Sequence, residues 1–338
     1  MPRIARLVIK EEKAVYHVMS RTALDGYVLG DVEKDFLLNH IRWLAKVYFA
    51  EVLGFCIMGN HFHLLVRIEP GGDKPVEEIR KRFEIYYGED DKRELSKEMI
   101  PVLREKWGTL AEFVKEIKQG FSRFYNRRYH RKGFFWSERF KSVIVDNGET
   151  LINCLAYIDL NPIRAGIAKK PGEYRWCSLG YHVQTKNRDR FLSTDFGLRE
   201  FALEGEKVRL AYYRRFVYEK GGIGGEQKTP QLNTLEGNPS EIRSAVINEL
   251  HGVNPVQRGR EVGSQKSEGK YKELSQVDRF LYRTRYFTDS GIIGTKEFVS
   301  RVYQDFKGYF TSKHEKRPKL IQGLDGIYSL KRLSENIG

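Results

Sequence analysis

Two apolar runs, residues 52–58 and 62–68, flank the polar pair Gly59-Asn60, and this pattern predicts a β-hairpin. Side chains alternate along a strand, so Phe62, Leu64, Val66 and Ile68 share one face while His61 and His63 share the other. Residues 14–19 have β-type composition and predict another strand ending near Arg21. Between them, Phe36, Leu37, Ile41, Leu44 and Tyr48 keep helical spacing behind Asp31, the expected N-cap.

Residues 71–106 are highly charged and read as an insertion with helical pieces over 76–87 and 95–107. From Leu110, the series Phe113, Val114, Ile117, Phe121 and Phe124 predicts a helix running into an Arg-rich end. Residues 134–145 predict a strand. Residues 149–160 predict a helix stopped by Pro162, whose ring disfavours helical geometry at the residue before it. Interleaved strands and helices of this kind imply an α+β domain over residues 1–181, an antiparallel sheet covered by helices on one face.

Residues 182–238 read as a helix (207–219) followed by a linker rich in Gly, Pro, Thr and Asn from 221 onward. Residues 239–338 imply a small, mostly helical C-terminal domain. Ser240 is expected to cap a helix through Ile242, Val246 and Leu250, and residues 258–270 form a polar, mobile stretch. Thr295 is expected to cap a late helix carrying Phe298, Val299, Val302, Tyr303 and Phe306.

Composition adds a partner to this outline. Across 338 residues the net charge is +14, which points to a polyanion, and aromatics are 13% of residues, enough to stack on bases as well as fill a core. No apolar run reaches the length of a membrane span and no signal-peptide pattern opens the chain. The three cysteines form neither a CxxC pair nor an even set and read as buried thiols in a reducing cytoplasm. There is no Walker-type phosphate loop, and the Gly-rich run at 221–225 follows a helical pattern rather than a strand.

Three groups of residues could carry chemistry. His61 and His63, side by side on one strand face, could bind a metal ion, although two unrelated histidines near a turn would look the same. Tyr157 and Asn161 lie one helical turn apart. A tyrosine can attack phosphorus and leave a phosphotyrosine ester, but its phenol, with a pKa near ~10, needs a metal or a base to do so at neutral pH. Asn161 could add an amide oxygen to the two imidazoles, or it could simply terminate a helix before Pro162.

The third group is basic and aromatic. Arg123, Arg127, Arg128 and Arg131, with Lys132, Arg139 and Lys141, face a single acid, Glu138, and alternate with rings that include Trp136. Cations of this density track phosphates while exposed rings stack on unpaired bases. About half of these rings belong to packing. Tyr125 and Tyr129 form a Tyr-x-x-x-Tyr pair that rivals Tyr157 on composition, but Tyr125 follows the apolar face of its helix.

The stretch 58–63, Met-Gly-Asn-His-Phe-His, resembles the His-hydrophobic-His signature of HUH single-strand nucleases. Residues 157–166, Tyr-Ile-Asp-Leu-Asn-Pro-Ile-Arg-Ala-Gly, resemble the tyrosine helix of the REP-associated tyrosine transposases, a single-tyrosine branch of that superfamily. Tyr16-His17-Val18 with Arg21, and residues 133–141, are similar to further blocks of the family in the same order. The resemblance spans about residues 10–180, and residues 283–298 resemble a tail of some members.

The resemblance implies a ferredoxin-like sheet with the histidines on a central strand and the tyrosine helix beside it. It implies Mg²⁺ or Mn²⁺ held by His61 and His63, Tyr157 as the nucleophile, and His17 and Arg21 at the rim of the site. Insertion-sequence relatives carry Gln one turn after the tyrosine, so Asn161 as third ligand is a departure. The implied activity is cleavage and strand transfer on single-stranded or hairpin DNA by a monomer or homodimer, with the C-terminal domain as an accessory DNA-binding unit. Two other classes stay open: a non-catalytic DNA- or RNA-binding protein on the same surface, and a zinc hydrolase with His182 as a third ligand.

Overall fold

β1 (Ala14–Arg21) and β3 (His61–Ile68) are buried along almost their whole length on both faces, which requires a layer of helices on each side of the sheet they share. The computed structural model describes residues 7–88, 91–198, 203, 205–223, 286–310, 315–321 and 323–330. Among them are ten α-helices and a seven-stranded sheet.

The hairpin forms as the apolar pattern predicts. β2 (Ala50–Ile57) pairs antiparallel with β3, and β3 pairs antiparallel with β1, which sets Met19 opposite His63 and Arg21 opposite His61. Opposed residues share a face, so His17, Met19 and Arg21 lie on the same side of the sheet as His61 and His63. β4 (Lys141–Val145) adds antiparallel to the other edge of β1. It is shorter than the strand expected over 134–145, because Phe135 and Phe140 enter the core from a loop instead of from a ladder.

α1 (Asp31–Val47) follows β1, and α4 (Leu110–Arg128) packs against it through the stacked rings of Phe36 and Phe124, 3.8 Å apart. Gly30 caps α1, not Asp31: its N–H donates to the Glu33 carboxylate at 3.1 Å, and Asp31 falls in the first turn where a negative charge suits the helix dipole. This layer covers the face opposite the histidines, since Phe62 meets Trp136 and Trp136 meets Phe121 of α4. The charged stretch after β3 carries α2 (Val76–Tyr87) and α3 (Met99–Trp107), the second starting four residues later than its apolar pattern suggests.

α5 (Gly148–Asp159) covers the histidine face. The helix is buried on every side, and it approaches so closely that a Cβ at Gly54 would sit 2.5 Å from the Leu155 side chain. The sheet is therefore covered on both faces rather than one. α6 (Asn161–Arg164) follows as a separate short helix with Pro162 in its first turn, a position where the missing N–H costs nothing. α7 (Ser178–Thr185) and α8 (Glu206–Lys220) then pack behind α5 and β2.

The C-terminal residues also differ from the expected pattern. After α9 (Tyr286–Asp289), β5 (Ile292–Gly294) pairs parallel with β4, so the sheet is mixed rather than wholly antiparallel. α10 (Lys296–Asp305) starts at Thr295, whose hydroxyl accepts from the Phe298 N–H at 3.3 Å as its sequence predicts. β6 (Lys319–Leu320) and β7 (Tyr328–Ser329) complete the order β2-β3-β1-β4-β5-β7-β6. The described part of residues 239–338 thus adds three short strands to the same sheet, beside its helices. The helix expected after Ser240 and the polar stretch 258–270 lie outside the described residues, as does most of the expected 221–238 linker.

Candidate active site

A cavity of about 870 Å³ opens where the ends of β1 and β3 meet α5 and α6. His61, His63, Tyr157 and Asn161 all line it, joined by Arg21, Arg139 and Lys141. The two imidazole centroids lie 5.2 Å apart on alternate positions of β3. Tyr157 stands edge-on to His63, with centroids 6.2 Å apart and planes at 84°. The histidines therefore come from the sheet and the tyrosine from the helix laid across it.

Each histidine has its Nδ1 engaged. His61 Nδ1 lies 2.7 Å from the side-chain oxygen of Asn60, and His63 Nδ1 lies 2.9 Å from His17 Nε2. His17 is fully buried, and its Nδ1 donates to the carbonyl oxygen of Phe287 at 2.7 Å. Burial pushes the His17 imidazole down to about 4; the Phe287 carbonyl opposes that shift and Arg164 adds to it. Burial, with the neighbouring His17 and His61, holds His63 well below the ordinary range. The net effect on His17 and His63 favours neutral rings at neutral pH, the form in which imidazole binds a metal.

Asn161 sits at the start of α6, not one turn further along α5. Its amide nitrogen donates to the carbonyls of Ile158 at 3.0 Å and Tyr157 at 3.4 Å, so the amide caps the end of the tyrosine helix. Its oxygen is the remaining donor toward a ligand. Asp159 is turned the other way. Its carboxylate accepts from the Tyr213 hydroxyl at 2.5 Å and from the Leu179 N–H at 3.1 Å, and burial raises its pKa to about 6 against those hydrogen bonds. It ties α5 to α7 and α8.

Sequence reasoning missed five contributors. Arg164 donates to the Tyr157 carbonyl at 2.9 Å and places its guanidinium carbon 4.2 Å from the centre of the Tyr157 ring. Lys34, from α1, and Thr288 and Asp289, from α9, line the cavity, while Phe287 packs 5.2 Å from Tyr157. Arg164 lay within the tyrosine motif and was legible there. The α9 residues arrive from more than 120 positions away, and although they fall in the 283–298 stretch that resembles a tail of some family members, nothing local placed them at the site. Five cations (Arg21, Lys34, Arg139, Lys141, Arg164) against two acids (Glu138, Asp289) make the lining basic.

The other basic residues lie elsewhere. Arg123, Arg127, Arg128, Arg131 and Lys132 do not line the cavity; they occupy the end of α4 and the loop after it. Arg123, Arg127 and Lys132 are exposed, Arg128 pairs with Glu33 at 3.4 Å, and Arg131 is half-buried against Tyr125. Trp136 is a packing residue, held by Phe62, Phe121 and Phe135 with its indole N–H donating to the Lys118 carbonyl at 2.9 Å. The exposed rings in that stretch are Phe134 and, in part, Tyr129.

The rival assignments fare differently. Tyr125 is buried against Phe135 and Tyr129, and the Tyr129 hydroxyl donates to Glu33 at 2.8 Å. Neither lines the cavity. His182 is buried beside Phe196 and also lies outside it. Among the described residues, no group of three His, Cys, Asp or Glu side chains is placed to hold a metal, so a zinc site of that type has no third ligand there. None of their helices is long and apolar enough to cross a membrane.

No family model matches the sequence. A curated Haemophilus influenzae protein named as a REP-associated tyrosine transposase is 22% identical over 166 residues, covering 47% of this chain and 80% of that protein. A solved structure of a REP-associated tyrosine transposase bound to a REP hairpin aligns with a TM-score of 0.38 and 15% identity, covering 54% of this chain and 86% of that one. In sequence, over about half its length, this chain resembles the REP-associated tyrosine transposases.

Proposed function

We propose that this chain is a transposase-like DNA transesterase of the HUH type, acting on single-stranded or hairpin DNA with Tyr157 as nucleophile. One observation carries the reading: Tyr157 is set edge-on to His63 in a basic cavity that His61 and Asn161 also line. The first four strands and α1 and α4, with both helices on the face away from the histidines, support a ferredoxin-like core with an added tyrosine helix.

The donors in the cavity fit a divalent ion. His61 and His63 each have Nδ1 turned to a neighbour and present their rings to the cavity, and Asn161 offers its amide oxygen. Mg²⁺ or Mn²⁺ bound there would supply Lewis acidity to a phosphate oxygen. The protein's own residues do the rest. Arg164 lies against the Tyr157 ring, where its charge favours the developing phenolate. Arg21, Arg139 and Lys141 attract and hold the phosphodiester.

In the reaction the Tyr157 oxygen loses its proton and forms a bond to phosphorus, while the bond from phosphorus to the 3′ oxygen breaks. The departing oxygen takes up a proton and leaves as a free 3′-hydroxyl, with a 5′-phosphotyrosine on the protein. One phosphodiester replaces another, so a second 3′-hydroxyl can reverse the step without ATP. Arg123, Arg127, Arg128 and Lys132, with exposed Phe134, would hold the flanking strand. The described C-terminal strands and α10 would serve as an accessory unit beside the site, and the reaction would take place in the cytoplasm.

The test is incubation with single-stranded hairpin oligonucleotides and Mn²⁺, followed by a denaturing gel. A protein–DNA adduct that maps to the peptide containing Tyr157 is expected. DNA binding with no adduct under any divalent ion would leave a non-catalytic binding protein as the correct reading.

A further inference from the structure

His17 was expected only at the rim of the site. The structure places it behind the site, fully buried and joined at both ring nitrogens. On one side is the Phe287 carbonyl, which can only accept, so the proton of neutral His17 must sit on Nδ1. Nε2 of the same ring is then an acceptor, and the 2.9 Å contact to His63 requires the proton on His63 Nδ1. That leaves His63 Nε2 unprotonated, on a ring that lines the cavity.

We propose that His17 is a positioning residue that fixes the tautomer and rotation of His63, so that His63 offers a bare Nε2 to a divalent ion. A neutral imidazole in solution exchanges freely between two tautomers, and the wrong one would point an N–H at the metal. A buried chain of two hydrogen bonds, ending on a backbone carbonyl, removes that choice. The rings of His17 and His63 lie side by side and nearly coplanar, with centroids 5.1 Å apart and planes at 22°, the arrangement an in-plane hydrogen bond requires. Rotating His63 out of that plane would break the bond. The origin of the carbonyl is informative: it belongs to α9, so a residue 270 positions from His17 sets the protonation of the cavity histidine.

The metal part of this inference rests on the function proposed above; the tautomer part does not. Histidine ¹⁵N NMR of the full, metal-free chain reads the tautomer directly, and the expected result is His63 protonated at Nδ1 and bare at Nε2. In His17→Phe, which keeps a ring but removes both nitrogens, the Nε2-protonated form of His63 should appear. Mn²⁺ affinity, read by the EPR signal of free Mn²⁺, should fall about 10- to 100-fold. His17→Gln restores an acceptor for His63 Nδ1 and should recover most of that affinity, which also covers the case that the Phe variant misfolds.

Wild-type His63 carrying its proton on Nε2 would overturn the inference, as would Mn²⁺ affinity unchanged in a folded His17→Phe. Wild-type protein that binds no Mn²⁺ and forms no adduct would instead sink the proposed function, and the NMR result would then decide the hydrogen-bond chain by itself.

Discussion

The guanidinium of Arg164 lies over the ring of Tyr157, 4.2 Å from its centre, while its Nη2 holds the Tyr157 carbonyl at 2.9 Å. One side chain thus clamps both the ring and the backbone of the same residue. Losing the contact should cost on the order of 1–2 kcal/mol, a desolvated cation–π pair. Arg164→Gln should therefore slow adduct formation about tenfold or more, since tenfold is about 1.4 kcal/mol. Single-turnover adduct kinetics check this, and an unchanged rate would reduce Arg164 to packing.

Tyr157→Phe removes one oxygen and keeps a ring that is buried against Phe287. No covalent adduct should form at any Mn²⁺ concentration, while DNA affinity persists. Tyr125→Phe and Tyr129→Phe should both retain the adduct, because the two rings pack on each other, Tyr125 also on Phe135, outside the cavity. A denaturing gel on the three variants separates the outcomes. An adduct surviving in Tyr157→Phe would remove this residue as nucleophile.

His61→Ala and His63→Ala each delete one of the two imidazoles in the cavity. Both variants should fold, bind DNA and lose Mn²⁺-dependent cleavage by at least ~100-fold, since losing even an outer partner of a metal ligand commonly costs 10- to 100-fold. Rates at limiting Mn²⁺ are the measurement. Full activity in either would exclude the metal site.

Replacing Arg127, Lys132 and Arg139 together tests the surface outside and at the edge of the cavity. All three are exposed. If each meets a phosphate, the slope of log affinity against log salt on single strands should flatten by about 2, at ~0.7 per contact. Binding isotherms from 50 to 300 mM salt give the slope. An unchanged slope would return these side chains to solvent.

His182 supplies a pH signature of stability rather than activity. Burial holds its pKa down at about 4, and its Nε2 has no hydrogen-bond partner. The folded state resists protonation, so the stability contributed by the neutral ring is complete above the ordinary pKa of ~6.5 and is lost as pH falls through 4. A depression from ~6.5 to about 4 corresponds to about 3 kcal/mol. His182→Phe, packed on Phe196, should shrink the gap between urea midpoints at pH 7.5 and pH 4.5. An equal gap in both proteins would count against it.

Much of this site was legible before the structure. Alternation placed His61 and His63 on one strand face, and the motif at 157–166 singled out Tyr157, because period and composition are local properties. What stayed hidden depends on register and on distant chain. Nothing near Tyr16 or Val18 says that His17 faces His63; that follows only from Met19 pairing with His63 across the sheet. Trp136 looked like a stacking platform because composition cannot tell an exposed ring from one that meets Phe62 on the covered face. Asn161 kept its place beside Tyr157, but as the cap between two helices, since Pro162 starts α6 instead of ending the fold's helical run.

The parallel pairing of β4 with β5 joins Ile144 to Ile292, and α9 hangs from that junction. Made at about 5–20 residues per second, the chain between Asp159 and Tyr286 takes on the order of ten seconds to emerge from a ribosome. During that time the nascent sheet holds its histidines and its tyrosine, but not the carbonyl that orients His17 or the wall formed by Phe287, Thr288 and Asp289. The long sequence separation acts as a clock: a half-made protein has every reactive group and lacks the support that arranges them. On the function proposed here, DNA cutting would be reserved for chains whose synthesis has passed residue 289.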